Sequence, residues 1–211
     1  MTSRLEDPAT PRIYFIRHGE TAWSLSGQHT GHTDLQLTAN GESQARQLAR
    51  WLAATRFAQV LTSPRQRAGR TCELAGLGAV AKIDPDLAEW DYGDYDGLRT
   101  VDVHKVRPGW NVFRDGCPNG ESSRQISDRC DRLIARLRLL AGNIAVFSHG
   151  QFGAVFAARW IGLPVIDGEH FSVQAASLGI LGYSTDHPDR SMIELWNALP
   201  SERSSAFGLN G

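Results

Sequence analysis

The chain has 211 residues, enough for one buried core, and a formal net charge of -1, which leaves no basic surplus for a polyanion. Nucleic-acid binding is therefore excluded as its main business, and any anion site must be a local cluster. Cys72, Cys117 and Cys130, with no CxxC spacing, suggest neither a disulfide framework nor a thiolate metal site and are read as packing residues.

Residues 1–11 are polar and lack the regions of a signal peptide, and no apolar run reaches membrane-spanning length. The expected address is the cytoplasm, with no membrane partner. Residues 12–16 are a short β-branched and aromatic run that stops at Arg17-His18-Gly19-Glu20-Thr21, a strand delivering a polar loop. Across 38–54, Ala45, Leu48, Ala49 and Leu52 fall at helical spacing, with Thr38 as N-cap and Glu42 near the positive end. A second strand over 58–61 ends at Thr62-Ser63-Pro64, where Ser63 as N-cap and Pro64 at the first helical position open a helix to about Ala75.

Residues 80–83 read as a third strand and 87–98, rich in Asp, Gly and Tyr, as loop. Ile126, Cys130, Leu133, Ile134, Leu137 and Leu140 make one apolar stripe, so the longest helix is expected from Glu121-Ser122 to Ala141-Gly142, with Gly142 ending it. Residues 144–147 form a continuous apolar run typical of a strand buried on both faces. They lead into Ser148-His149-Gly150 and a helix to about Ile161. Two closing strands are expected over 177–183 and 191–196, and the tail after Pro200 is polar. Strands alternating with helices predict a single α/β domain of 1–211, core about 12–197, built as a three-layer sandwich: a mostly parallel sheet with helices on both faces.

In such folds the loops at the carboxyl ends of strands form the ligand crevice. If the first, second and fourth strands are neighbours, Arg17-His18, the Arg65/Arg67 pair and His149 meet at one edge. Arginine forks match phosphate oxygens bidentately, and the helix after Gly150 offers backbone N–H groups and its positive end. A phosphoryl group is the guest this set suits. His29, His32, His104, His170 and His187 lack metal-ligand spacing and are read as surface or hydrogen-bonded structural residues.

Arg17-His18-Gly19-Glu20-Thr21 together with Ser148-His149-Gly150 resembles the histidine phosphatase (phosphoglycerate mutase-like) superfamily. Thr62-Ser63-Pro64-Arg65-Gln66-Arg67-Ala68 through Thr71 is similar to its second arginine segment, and Leu87-Ala88-Glu89-Trp90-Asp91-Tyr92-Gly93 to its acid/base segment. Gly120-Glu121-Ser122 matches a further signature at a helix start. The likeness runs from about Arg12 to Trp196. It implies that His18 is the nucleophile, that Arg17, Arg67, His149 and Gly150 bind the phosphoryl oxygens, and that Glu89 is the acid and later the base. Neighbouring guanidinium charge agrees with this, since it favours the neutral imidazole that attack requires. Family spacing before Ala68 selects Arg67 over Arg65, which is left as a surface or supporting charge. Ser24, Gln28, Thr30 and Gly31 fall where the family contacts its ligand, the alternative for the last three being a structured turn. No metal or other cofactor is implied.

Within the superfamily, mutases use a longer insertion after the acid/base segment with adjacent arginines. Here the connection is short, and Arg99, His104, Lys105, Arg107 and Arg114 supply charge without an adjacent pair. Hydrolysis is therefore the reading, mutase transfer the alternative, and a non-catalytic phosphate-binding or partner-binding module the remote one. Residues 23–31, 89–97 and 110–120 look most like a phosphatase branch holding sedoheptulose-1,7-bisphosphatases and mutase-like acid phosphatases. The expected partner is a small phosphorylated metabolite, sugar phosphates included. That branch carries an arginine where this chain has Ala154, which places bisphosphate specificity in doubt. A homodimer through the edge of the closing strands is a weaker expectation.

Overall fold

Seven residues, Pro11–Arg17, form β1, and residues 13–16 are buried without a break, as a sheet with a core on each face requires: Ile13 and Phe15 belong to one apolar cluster, Tyr14 and Ile16 to the other. The computed structural model describes residues 10–200, and the expectations for residues 1–9 and for the tail beyond Pro200 lie outside them. In chain order the other elements are α1 (Ala22–Ser26), α2 (Ala39–Leu52), β2 (Phe57–Thr62), α3 (Gln66–Leu74), β3 (Ala81–Ile83), α4 (Thr100–Val106), α5 (Val112–Asp115), α6 (Ser123–Arg138), β4 (Gly142–Ser148), α7 (Gly150–Trp160), β5 (Leu178–Tyr183) and β6 (Ser191–Ala198).

The strands make one sheet in the order β3-β2-β4-β1-β5-β6. β3, β2, β4 and β1 run parallel, whereas β5 and β6 are antiparallel additions. β2, β4 and β1 are thus neighbours, as the convergence of their loops demands. Ile144 and Val146 of β4 join Ile13 and Phe15 over α6 and α7, through Ile126, Cys130, Leu133, Phe152, Phe156 and Trp160. Ala145 and Phe147 pack with Tyr14 and Ile16 on the other face against Leu48 and Leu52 of α2 and Cys72 of α3. The three-layer α/β sandwich is as expected.

Two boundaries differ. Helix α3 begins at Gln66, not at Pro64, and its N-cap is Arg65 without a side-chain cap bond. Ser63 is drawn toward another partner described below, and the Gln66 N–H donates instead to the Asp34 carboxylate at 3.0 Å. Helix α6 opens at Ser122 with a capping box to Gln125 but ends at Arg138, and Gly142, with φ of 78°, starts β4 instead of ending the helix. There the Leu139 N–H bonds to Arg136 and Leu137, tightening the last turn. Residues 87–98 are loop with short 3₁₀ turns, yet Leu87, Trp90, Tyr92 and Tyr95 are buried and anchor the segment in the core.

Candidate active site

Three parallel strands deliver the site. β1 ends in Arg17, followed by His18; β2 ends in Thr62, followed by Ser63 and the turn into α3; β4 ends in Ser148, followed by His149 as the N-cap of α7. The backbones are tied together, with the His18 N–H donating to Ser148 O at 3.0 Å and the Ser63 N–H to Phe147 O at 2.9 Å. His18 and His149 are buried, their ring centroids 5.2 Å apart, so both can reach one tetrahedral oxyanion.

His18 Nδ1 lies 2.7 Å from the Gly19 carbonyl oxygen, an acceptor only, so Nδ1 carries the ring proton and Nε2 presents a lone pair. Burial first, then the charges of Arg17 and Arg67, hold His18 well below the ordinary imidazole pKa, so it stays neutral. The loop itself is pinned by the Gly19 N–H, which donates to Thr71 Oγ1 at 3.0 Å. It also rests directly on α2, since a Cβ on Gly19 would meet the Gly41 carbonyl oxygen at 2.4 Å and one on Gly41 would meet the Glu20 carbonyl oxygen at 2.1 Å.

Arg67 is fully buried. It donates to the carbonyls of Thr33 at 3.0 Å, Thr30 at 2.9 Å and Gly31 at 3.4 Å, and Asp34 lies 3.7 Å away. Asp96 holds that loop in turn, accepting from the N–H groups of Gly31 and Thr33 and from Thr33 Oγ1. Arg17 donates to Val173 O at 2.5 Å, and its guanidinium covers Gly150, where a Cβ would sit 3.2 Å from Cζ. Arg17 Nε, Arg67 Nε and His149 Nδ1 are buried with no hydrogen-bond partner among the described residues. Buried donors of this kind call for an explanation, and an anion held among them supplies one.

Glu89 lies near both arginines and raises the proton affinity of each, against the larger lowering by burial. Its carboxylate accepts from the Trp90 N–H at 2.9 Å, the Phe152 N–H at 2.7 Å and the Gln151 N–H at 3.1 Å. Two first-turn amides of α7 therefore serve Glu89 and not a phosphoryl group, a correction to the expectation that the helix end as a whole faces the ligand. The Gly150 N–H precedes these two amides and is not among those that Glu89 accepts. Glu121 and Arg129 brace the acid/base segment: the Asp91 N–H donates to Glu121, while Arg129 pairs with Glu121 at 2.7 Å and donates to the Asp86 and Ala88 carbonyls.

The flanking candidates are used differently. Ser24 is committed to a capping box with Thr21. Gln28 donates to Gly97 O and accepts from Ser26, and Thr30 and Gly31 hold Arg67 through their carbonyls. Arg65 places its amide on Ser63 Oγ, and its Nε, like those of Arg17 and Arg67, is buried with no hydrogen-bond partner among the described residues, so it stands beside the cradle as a supporting charge. His29 stacks on Tyr92 with centroids 4.5 Å apart, and burial pushes its pKa down to about 4. Reading from sequence missed Ser63 as an active-site group, and with it Thr71, Asp96, Glu121 and Arg129. Ser63 and Thr71 lie in the second arginine segment, Glu121 in the Gly120-Glu121-Ser122 signature and Asp96 in the stretch 89–97, so the signals were motif membership without a role for these side chains. Among the described residues, no group of three His, Cys, Asp or Glu side chains is placed to hold a metal ion. None of the helices there is long and apolar enough to cross a membrane.

Comparison with known proteins agrees with this geometry. The sequence model of one family, described as the histidine phosphatase superfamily (branch 1), matches residues 13–198. An acid phosphatase of Mycobacterium tuberculosis is 40% identical over 82% of this chain and 86% of its own length. A sedoheptulose 1,7-bisphosphatase of Saccharomyces cerevisiae is 33% identical over 94% and 98%. The solved structure of an open reading frame product of Mycobacterium tuberculosis superposes with a TM-score of 0.83 at 36% identity, covering 90% of this chain and 98% of the other.

Proposed function

The chain belongs to the histidine phosphatase superfamily and is a phosphoric monoester hydrolase, and we propose that it cleaves small phosphorylated metabolites, sugar phosphates among them, through a phosphoryl group carried on His18. The observation that carries this reading is the set of buried nitrogens without a partner among the described residues, Arg17 Nε, Arg67 Nε and His149 Nδ1, around a neutral His18 whose free nitrogen is Nε2.

In the first half-reaction, Nε2 of His18 attacks phosphorus as the P–O bond to the leaving group breaks, and Glu89 gives its proton to the departing oxygen. Arg17, Arg67, His149 and the Gly150 N–H neutralise charge on the non-bridging oxygens, where it is greatest in flight. In the second, Glu89 takes a proton from water, which attacks phosphorus, and the N–P bond breaks to release phosphate and restore His18. Oε1 of Glu89 already accepts two N–H groups and Oε2 one, so Oε2 retains the lone pair that carries the proton. Two guanidinium groups and a helix end supply the positive charge that other phosphoryl-transfer sites take from Mg²⁺, so no metal is required. Thr30 and Gly31 act through Arg67, and Ser24 and Gln28 through the shape of their loop.

Hydrolysis is favoured over mutase transfer. A mutase must keep hold of a doubly phosphorylated intermediate, and the nearby cations are already engaged: Arg99 and Lys105 with Asp102, Arg107 and Arg114 with Asp115. The cytoplasm suits this reading, since Cys72, Cys117 and Cys130 are buried free thiols. The test is release of inorganic phosphate from p-nitrophenyl phosphate and sugar monophosphates with chelator present. Turnover is expected to persist in chelator and to fall by on the order of 10⁴-fold or more in His18→Ala. Activity that survives the substitution, or that chelator alone abolishes, would defeat the mechanism.

A further inference from the structure

Ser63 stands immediately after β2 and is 2% exposed. Its oxygen accepts the Arg65 N–H at 3.2 Å and lies 2.7 Å from His149 Nε2. A serine hydroxyl has one proton and two lone pairs. Burial first, then chiefly the charge of Arg67, holds His149 well below the ordinary imidazole pKa, so the neutral ring has one proton to place.

Two placements exist. If the proton sits on Nε2 it points at Ser63 Oγ, the hydroxyl proton has no other acceptor among the described residues, and Nδ1 becomes a bare lone pair. If the hydroxyl donates to Nε2, every group around Ser63 is satisfied and Nδ1 carries the proton. Buried polar groups are paired wherever geometry allows, which selects the second. Nδ1 is also the ring nitrogen that lacks a protein partner. With a proton there it can donate to a phosphoryl oxygen, whereas a bare lone pair would repel one.

We propose that Ser63 is a positioning residue for phosphoryl transfer: by donating to Nε2 it holds His149 as the Nδ1–H tautomer, so the second histidine meets the phosphoryl group with a proton while His18 meets it with a lone pair. The two imidazoles are anchored through opposite nitrogens, His18 by Nδ1 on a backbone carbonyl and His149 by Nε2 on a side-chain hydroxyl. The backbone anchor cannot be removed by substitution, but the hydroxyl can.

The inference rests on the phosphatase reading above, and its experiment separates the two. In ¹⁵N-histidine-labelled full-length protein, long-range ¹H–¹⁵N correlation reads the tautomer of His149, assigned by the loss of its signals in His149→Gln. Wild type is expected to show protonated Nδ1 and unprotonated Nε2. Ser63→Ala should lose that preference and lower kcat by about 10- to 100-fold, the scale on which removing such an orienting partner acts elsewhere. Orthovanadate binding should weaken in parallel, and Ser63→Thr, which keeps the hydroxyl, should restore most of both. A wild-type Nε2–H tautomer overturns the proposal, even if Ser63→Ala fails to fold. So does wild-type kcat and vanadate affinity in a folded Ser63→Ala. The Nδ1–H tautomer in a protein that hydrolyses no phosphomonoester would instead overturn the phosphatase reading.

Discussion

The phosphate cradle and the segment of residues 99–115 beside it contain the same side-chain types and use them in opposite ways. In the cradle, Arg67 and His149 are buried and Arg17 is half-buried, and each keeps a buried nitrogen with no partner among the described residues. In the neighbouring segment Arg99, Lys105, Arg107 and Arg114 are 46–67% exposed and share two carboxylates, Asp102 and Asp115. The first arrangement is costly unless an anion arrives, and the second is already neutralised and screened by water. Proximity to the site is therefore a poor guide to function here.

Substituting the cradle tests that contrast most severely. Arg67→Ala should lower kcat/KM for a sugar monophosphate by roughly a hundred- to a thousandfold. Arg67→Lys should recover only part, because an ammonium cannot replace a fork that holds three loop carbonyls and an oxyanion at once. Near-normal kcat/KM in a folded Arg67→Ala protein would remove the cradle from the mechanism.

Acid should act next. His18 and His149 are held neutral well below the ordinary imidazole pKa, and His29 titrates at about 4. The unfolded chain takes up protons at these residues once pH drops below about 6.5, and the folded chain does not. Stability should therefore fall as pH falls, with up to about 1.4 kcal/mol per pH unit from each such histidine between its unfolded and folded pKa. Urea midpoints between pH 7 and pH 5 measure this, and adding phosphate, which binds only the folded cradle, should raise them. A midpoint that is flat across that range would contradict the buried neutral imidazoles.

The smallest effects belong to the outer segment. Arg99→Ala and Arg114→Ala should each change kcat/KM for a monophosphate by less than about twofold, as exposed paired charges usually do. A tenfold or larger loss confined to bisphosphate substrates would show that these cations leave their carboxylates to bind a second anion, and would redraw the boundary between the two regions.

Much of this was legible in the chain. The apolar runs of β1 and β4 and the stripe on α6 set the layers, and the two histidine motifs named the loops that meet. What the sequence concealed was how polar groups are shared across the fold. Ser63 reads as a helix cap because Ser before Pro usually is one. Its hydroxyl goes to His149, eighty-six residues away, and Asp34 takes over the first amide of α3. Glu89 reads from its motif as the acid and base, but nothing in the motif shows that it occupies first-turn amides of α7. Asp96 supports Arg67 through a loop whose pairing no local pattern records. Local propensity decides where elements form, but a donor choosing among distant acceptors answers to tertiary geometry.

The close approach of the Gly19–Glu20 backbone to Gly41 of α2 sets a limit on how this molecule can diverge. A methyl group on Gly19 would meet the Gly41 main chain and one on Gly41 the Glu20 main chain, so saturation mutagenesis should strongly favour glycine at both. Whatever specificity descendants of this chain acquire must be written in the 99–115 segment and the surface loops, because the platform under the nucleophile tolerates no revision.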